Sequence, residues 1–112
     1  MKIKEVSEFT GISAHTIRYY EKQGVLELPK KDSSGHRNYS DTDVELINWV
    51  ACMKNSGMSL RDIKGYVTAS IEGRNEDALV ALRIHLEKLE EQKKNIDHYI
   101  DVTEEKINRL SN

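Results

Sequence analysis

A short segment near the N-terminus carries the side chains best suited to binding chemistry. Ile17 and Tyr20 are three residues apart, so a helix there would turn both toward a core and leave its other side chains outward. Arg18 can pair with a phosphate or bind guanine through two hydrogen bonds, and hydroxyl groups can reach phosphate oxygens. The residues predicted to face a nucleic acid are Ala14, His15, Thr16, Arg18 and Tyr19. An ordinary amphipathic helix with a solvated arginine has the same pattern and is the alternative.

A second run of hydrogen-bonding side chains, residues 36–39, follows Gly35. Two short extended runs, at 25–28 and 36–39, flank a polar turn, and this pattern predicts a small β-hairpin, or wing, over residues 25–39. A wing beside a recognition helix can hold the nucleic-acid backbone next to the groove. Its candidate contact residues are His36, Arg37 and Tyr39. A plain solvated hairpin is the alternative.

Cys52 is the one cysteine in the sequence, which excludes a disulfide within the chain and a cysteine-rich metal site built from one chain. It shares a predicted helical face with Trp49 and is a candidate sensor thiol. A reactive thiol needs a lowered pKa. A place near a helix C-terminus works against this, although Lys54 or a cation from a partner chain would compensate. The alternative is a small buried hydrophobic side chain.

The four histidines show no metal-ligand spacing with one another or with carboxylates, so no metal site is predicted. His85 and His98 lie outside the apolar stripe of the C-terminal segment, where solvated positions are expected. No Ser/His/Asp, phosphate-loop or paired-carboxylate pattern stands out. We therefore predict neither a cofactor nor an enzymatic activity.

The candidate residues must be positioned by a head of short helices, predicted over residues 1–71. Two helices joined by a tight turn at Gly11 form a helix-turn-helix pattern over residues 3–23. Ser13 is the predicted N-cap of the second helix. The apolar residues expected to anchor the first helix, at three-residue spacing, are Ile3, Val6 and Phe9.

A second helical pair is predicted over residues 41–69, after the wing. Ser40 with Asp43 resembles a capping box, and Ser59 with Asp62 repeats the pattern. Both helices have apolar residues at helical spacing, which predicts one inward face on each. These residues are Val44, Ile47, Val50, Ala51, Leu60, Ile63, Tyr66 and Val67.

Residues 75–110 form one long amphipathic segment with an apolar stripe at alternating three- and four-residue spacing. The stripe is about 48 Å long, too long for a small head to cover, so it predicts a coiled coil with a second copy of the chain. Lys93 would meet its own copy in a parallel pair, which favours an antiparallel arrangement. The predicted dimer-interface residues are Leu79, Leu82, Leu86, Leu89, Ile96, Ile100, Ile107 and Leu110.

Composition agrees with a mainly α-helical protein, an all-α fold with a small β-hairpin. The 112 residues are 38% hydrophobic and 32% charged, with one proline. The net charge of −2 does not by itself indicate nucleic-acid binding. The charge is unevenly distributed, however, with a net charge of +2 over residues 1–39 and −3 over residues 71–112. No apolar run approaches the roughly 20 residues of a membrane span and no signal peptide is evident, so a cytoplasmic protein without a membrane partner is expected.

Four segments in order resemble the MerR family of bacterial transcription regulators. Residues 16–21 (TIRYYE), followed by Gly-Val-Leu, are similar to the family's recognition helix, and residues 35–39 (GHRNY) to its wing. Residues 57–63 (GMSLRDI) resemble its second helical pair, and the long terminal helix resembles its dimerisation arm. The resemblance covers residues 1–110.

The resemblance implies a winged head, an antiparallel coiled-coil dimer and action by untwisting a promoter with an overlong spacer. It also implies DNA contacts at Arg18, Tyr19, Arg37 and Tyr39. The residues around Cys52 resemble a thiol-bearing subgroup that responds to reactive aldehydes. Since no thiol follows Cys52, mercury, copper or zinc sensing is not expected.

The sequence thus predicts a homodimeric, sequence-specific regulator that binds and distorts a palindromic promoter, with RNA polymerase as a further partner. A thiol-reactive electrophile is a candidate signal through Cys52. The alternatives are a coiled-coil adaptor with a protein-binding head, a thiol enzyme using Cys52, and an excisionase-like DNA-binding factor that would not need the long arm.

Overall fold

Five α-helices are present in the part of the chain that the computed structural model describes, residues 1–27, 29 and 31–112. The first four lie in the order predicted for a helix-turn-helix followed by a second helical pair, and the fifth is the long terminal helix. Their bounds are α1 (Ile3–Thr10), α2 (Ala14–Lys22), α3 (Asp41–Asn55), α4 (Leu60–Ile71) and α5 (Asn75–Ser111). None of the described helices is both long and apolar enough to cross a membrane.

Serine caps start α2, α3 and α4, as the sequence predicts. The side chains of Ser13, Ser40 and Ser59 each accept a hydrogen bond from the backbone amide three residues later. At Ser40 the capping box is complete, because the Asp43 carboxylate also accepts from the Ser40 amide at 2.9 Å. Each cap satisfies an amide that the helix leaves unpaired and contributes about 1 kcal/mol.

The core of the head joins the inner faces of α1 to α4 with the residues that follow α2. The predicted anchors of α2 are buried, and so are most of the inward residues predicted for α3 and α4. The buried cluster consists of Val6, Ile17, Tyr20, Val25, Leu26, Tyr39, Val44, Ile47, Val50, Met58, Ile63 and Val67.

Phe9 departs from the sequence prediction, since its side chain is 69% exposed. Residues three apart on a helix differ by 300°, so the spacing of Ile3, Val6 and Phe9 drifts by about 60° at each step. Val6 faces the core, Ile3 packs against it from one side, and Phe9 turns away into solvent.

The wing predicted over residues 25–39 is not confirmed as a β-hairpin. Outside Leu28 and Lys30, which lie beyond the described residues, the segment contains no strand and one isolated antiparallel bridge between Lys31 and Arg37. The turn between them is held by the Asp32 carboxylate, as described below. We call residues 31–39 the basic loop.

The first half of α5 packs against α4, which differs from the expectation that the head leaves this helix uncovered. Ala78 and His85 are buried on this face, with Leu82 and Leu89 half-buried beside them. The expectation that His85 is solvated is therefore wrong: its Nε2 lies 2.8 Å from the Ser56 hydroxyl. Residues 78, 82, 85 and 89 recur at helical spacing on the face of α5 that is turned toward α4. Contact with α4 therefore shields this face from solvent.

The second half of α5 extends beyond the head, and the chain measures 70 × 34 × 20 Å. Its apolar residues have no cover within the described chain. Six of the eight predicted dimer-interface residues are exposed, namely Leu79, Leu86, Ile96, Ile100, Ile107 and Leu110.

Candidate nucleic-acid interface

The outer face of α2 presents the residues predicted for it. Ile17 and Tyr20 fix the helix in the core, and His15, Arg18 and Tyr19 are exposed on the opposite side. Ala14 and Thr16 are half-buried; the Ser13 hydroxyl donates to the Thr16 Oγ1 at 2.9 Å and the Ser13 Oγ accepts from the Thr16 amide at 3.1 Å. Ser13 thereby caps the start of the helix, while the exposed side chains remain available to a partner.

The basic loop is shaped by Asp32. Its Oδ1 accepts hydrogen bonds from the backbone amides of Ser34 at 2.9 Å and His36 at 3.0 Å, and its Oδ2 contacts the Lys2 ammonium. The hydrogen bond from Lys2, followed by that from the His36 amide, lowers the pKa of Asp32 to about 2. Asp32 therefore stays ionised at neutral pH and ties the loop to the residue preceding α1.

Tyr39 and Glu21 join the end of the basic loop to α2. The buried Tyr39 hydroxyl donates to the Glu21 Oε1 at 2.5 Å, and the Glu21 Oε2 lies 3.9 Å from the Arg37 Nε. Arg37 also donates from Nη1 to the Pro29 carbonyl at 2.9 Å. Burial, and then the hydrogen bond to Glu21, raise the pKa of Tyr39 above its ordinary range.

A concave surface of about 320 Å³ lies between α2, the start of α1 and the basic loop. We call it the basic hollow. Four cationic side chains line it, together with His36 and the partly neutralising Glu21. The four are Lys2, Arg18, Lys31 and Arg37. Of these, Arg18 and Lys31 form no ion pair with any other described residue. Their positive charge is available to an anion, and phosphate groups are suited to such a surface.

The structure brings together only part of the predicted site. Arg18, His36, Arg37 and Tyr39 all line the basic hollow, whereas the remaining predicted residues of α2 lie outside its lining. Tyr39 also differs in its environment from the other predicted contacts, because it is 3% exposed and its hydroxyl is already bonded to Glu21.

Sequence reasoning missed the other three charged residues of the hollow, Lys2, Lys31 and Glu21. The position of Glu21 in the sequence does carry a signal, since it follows Ile17 by four residues and Tyr20 by one on the inward face of α2. A carboxylate on an inward face requires a partner. Lys2 and Lys31 had no comparable signal, because both reach the hollow through the fold of the chain.

Cys52 is exposed on the last turns of α3 and does not line the basic hollow. The alternative of a buried hydrophobic thiol is therefore not supported within one chain. Trp49, predicted on the same face, instead turns toward α4 and stacks on Tyr66 with ring centroids 4.6 Å apart. Within the described residues, no group of three or more histidines, cysteines and carboxylates could hold a metal ion.

A helix-turn-helix whose second helix borders a basic surface is typical of DNA-binding helix-turn-helix proteins, and this chain has that arrangement. Residues 1–70 match the family described as MerR HTH family regulatory protein. The chain belongs to the MerR family.

Relatives and solved structures agree with this assignment. The chain is 36% identical over 119 residues to the uncharacterised HTH-type transcriptional regulator YyaN of Bacillus subtilis (strain 168), an alignment that covers 94% of this chain and 86% of that protein. It is 35% identical over 112 residues to the HTH-type transcriptional regulator YfmP of the same organism, with 96% and 80% covered.

Two solved structures share the whole architecture. A MerR family protein from Listeria monocytogenes superposes with a TM-score of 0.94 at 27% identity, covering 100% of this chain and 86% of that one. HiNmlR, a MerR family regulator lacking the sensor domain and bound to promoter DNA, superposes with a TM-score of 0.85 at 31% identity, covering 95% and 86%. The protein is thus a DNA-binding transcriptional regulator of the MerR type, and not an enzyme.

Proposed function

We propose that this protein binds a palindromic promoter as a homodimer, in a sequence-specific manner, and distorts the DNA between the two half-sites. The observation that carries the proposal is the basic hollow, where Arg18 of α2 and Arg37 of the basic loop line one concave surface. A helix in the major groove beside a backbone-binding loop needs this arrangement of cations.

In this proposal the residues divide by role. The exposed side of α2, with Ala14, His15, Thr16, Arg18 and Tyr19, enters the major groove. His36 and Arg37 hold phosphates beside it, with Lys2 and Lys31 adding positive charge. Tyr39 positions Arg37 and does not contact DNA through its hydroxyl, because its hydrogen bond to Glu21 holds the loop that carries Arg37.

The dimer forms through the exposed stripe of α5. We assign residues 1–71 to the DNA-binding head and residues 75–110 to an antiparallel coiled-coil arm, which places the two heads at opposite ends. Support comes from the exposed apolar residues of α5, which would be unusual on a monomer. Bending or untwisting the DNA between the heads costs several kcal/mol, on the order of 1–6, which phosphate contacts offset. Cytoplasmic RNA polymerase then recognises the distorted promoter.

We propose that Cys52 senses a thiol-reactive electrophile. The exposed thiol would add, as the thiolate, to the carbonyl carbon of a reactive aldehyde, and the resulting oxyanion would take up a proton to give a hemithioacetal. The exposure of this side chain on α3, the helix that precedes the α4–α5 contact, supports the proposal.

The test is a footprint on DNA upstream of this protein's own gene, combined with a probe of strand distortion. We expect a protected palindrome with distortion at its centre, and binding that weakens steeply with salt because phosphates are neutralised. An absence of protection even at low salt would overturn the proposal and favour the protein-binding adaptor.

The electrophile response is tested in the same assay with a reactive aldehyde. We expect the aldehyde to change the footprint of the natural protein and leave that of the Cys52→Ser variant unchanged. An equal change in both proteins would remove Cys52 from the mechanism while leaving DNA binding intact.

A further inference from the structure

A groove of about 580 Å³ runs between α4 and α5, outside the basic hollow and outside the predicted dimer stripe. Its apolar wall includes Val80 and Ile84, which are 53% and 50% exposed and are not residues of that stripe. Tyr66 and Ala81 also line it. The volume lies within the roughly 300–1,000 Å³ of small-molecule clefts.

Gly65 lines this groove from the middle of α4, and nothing in the described chain explains its presence. Its backbone φ is not positive, so no turn requires a glycine. A Cβ built at this position would meet no atom within 4 Å, so no neighbour requires one either. A glycine inside a helix is destabilising relative to alanine. The absence of a side chain leaves room for a bound molecule to approach the backbone of α4 closely.

His85 supplies a polar group on the same groove, and it is more than nine-tenths buried. The Ser56 hydroxyl donates its proton to the Met53 carbonyl at 2.9 Å, so it accepts from the His85 Nε2 at 2.8 Å. Nε2 therefore carries the proton and Nδ1 is an acceptor. Nδ1 bonds to no described residue, and it is open to the groove, because no enclosed side-chain nitrogen or oxygen of the described residues lacks a partner.

The charges that line the groove favour an anion. Arg61 and Lys88 line it and form no ion pair within the described part of the chain. Of its two carboxylates, Asp77 is already bound by Arg74 at 2.7 Å, which leaves Asp62. Two free cations thus face one free carboxylate.

We propose that the α4–α5 groove binds a small amphipathic carboxylate. Its apolar body lies along Val80 and Ile84 over Gly65, and its carboxylate meets Arg61 and Lys88. Because α4 belongs to the head and α5 to the arm, an occupant changes how the two meet. This second step, regulation of DNA binding, rests on the proposed function; binding itself does not.

The binding test uses the full chain with the fluorescent anion 8-anilinonaphthalene-1-sulfonate as probe and competes it with decanoate or decylamine. We expect one probe per chain, displaced by decanoate at concentrations at least about tenfold lower than by decylamine. Failure to bind the probe at a defined stoichiometry, or equal displacement by both competitors, would overturn the proposal.

Two variants locate the site. Gly65→Leu should weaken probe binding at least about tenfold, because the added side chain occupies the groove, while Thr68→Leu on the exposed face of α4 should not. Arg61→Gln combined with Lys88→Gln should weaken decanoate binding and leave decanol binding unchanged. Equal binding by all variants would place the probe elsewhere and overturn the assignment.

The same variants and ligands distinguish a groove between two copies of the chain, and a ligand without regulatory effect, from failure of the proposed function. If Gly65→Leu also lowers the mass measured by light scattering from dimer to monomer, the groove is an interface between copies and the ligand proposal fails. If decanoate binds but leaves the affinity for promoter DNA unchanged, the regulatory step fails. A protein that binds no promoter DNA even without decanoate instead contradicts the proposed function.

Discussion

The phenolic oxygen of Tyr39 lies 2.5 Å from a carboxylate oxygen of Glu21, inside the head and eighteen residues away along the chain. Through this contact the basic loop is attached to α2, and Arg37 is held near the second carboxylate oxygen of Glu21. The relative position of α2 and the basic loop, the two elements proposed to face DNA, therefore depends on a buried hydrogen bond to a charged group. Bonds of this kind are short and strong, and breaking one leaves the charge without a partner.

Tyr39→Phe should lower the free energy of unfolding by about 1–3 kcal/mol, because the buried Glu21 carboxylate loses its O–H donor. Urea denaturation followed by circular dichroism measures this change. Tyr19→Phe is the matched control, since Tyr19 is exposed and its hydroxyl bonds to no described residue. Identical unfolding midpoints for the two variants would contradict the role assigned to the bond.

Alkaline titration should show that Tyr20 and Tyr39 keep their protons to higher pH than a free tyrosine does. Burial raises the pKa of Tyr20, and burial with the Glu21 bond raises that of Tyr39. Both folded-state pKa values lie above the unfolded value of about 10, so the folded state keeps its protons longer and its stability falls as pH rises from there. Ultraviolet absorbance of the folded protein should show phenols that ionise only above the pH range of a free tyrosine, and this component should shrink in the Tyr39→Phe variant. A titration of the folded protein that Tyr39→Phe leaves unchanged in this high-pH range would contradict the prediction.

Arg18→Ala should weaken binding to promoter DNA by about 1–3 kcal/mol, because Arg18 is exposed on α2 and has no ion-pair partner among the described residues. Fluorescence anisotropy at several salt concentrations measures the affinity and its salt dependence. Arg83→Ala removes an equal charge from the exposed face of α5 and serves as the control. An affinity for Arg18→Ala equal to that of Arg83→Ala would remove α2 from the interface.

Ile100→Glu should convert the proposed dimer to a monomer, since it places a charge in the apolar stripe of α5. Val102→Glu alters an equally exposed apolar residue that is not in the stripe, and it should leave the dimer intact. Light scattering coupled to size-exclusion chromatography measures both masses. If both variants stay dimeric, the stripe is not the dimer interface.

Local features of this protein were predictable from the sequence because they depend on neighbours along the chain. A serine cap bonds to an amide three residues away, so Ser13, Ser40 and Ser59 mark helix starts without knowledge of the fold. The inward residues Ile17 and Tyr20 follow from the helical repeat alone. These signals were sufficient to predict which face of α2 is exposed and therefore where Arg18 points.

Other features depend on contacts between distant segments, which only the tertiary structure decides. The repeat pattern excluded His85 from the dimer stripe, but it could not show that Ser56, twenty-nine residues earlier, would bury and bond it. The same holds for Glu21, whose partner Tyr39 reaches it through the loop. Hydrogen bonds and burial between remote residues depend on how helices pack, and the spacing of residues within one helix carries no information about that packing.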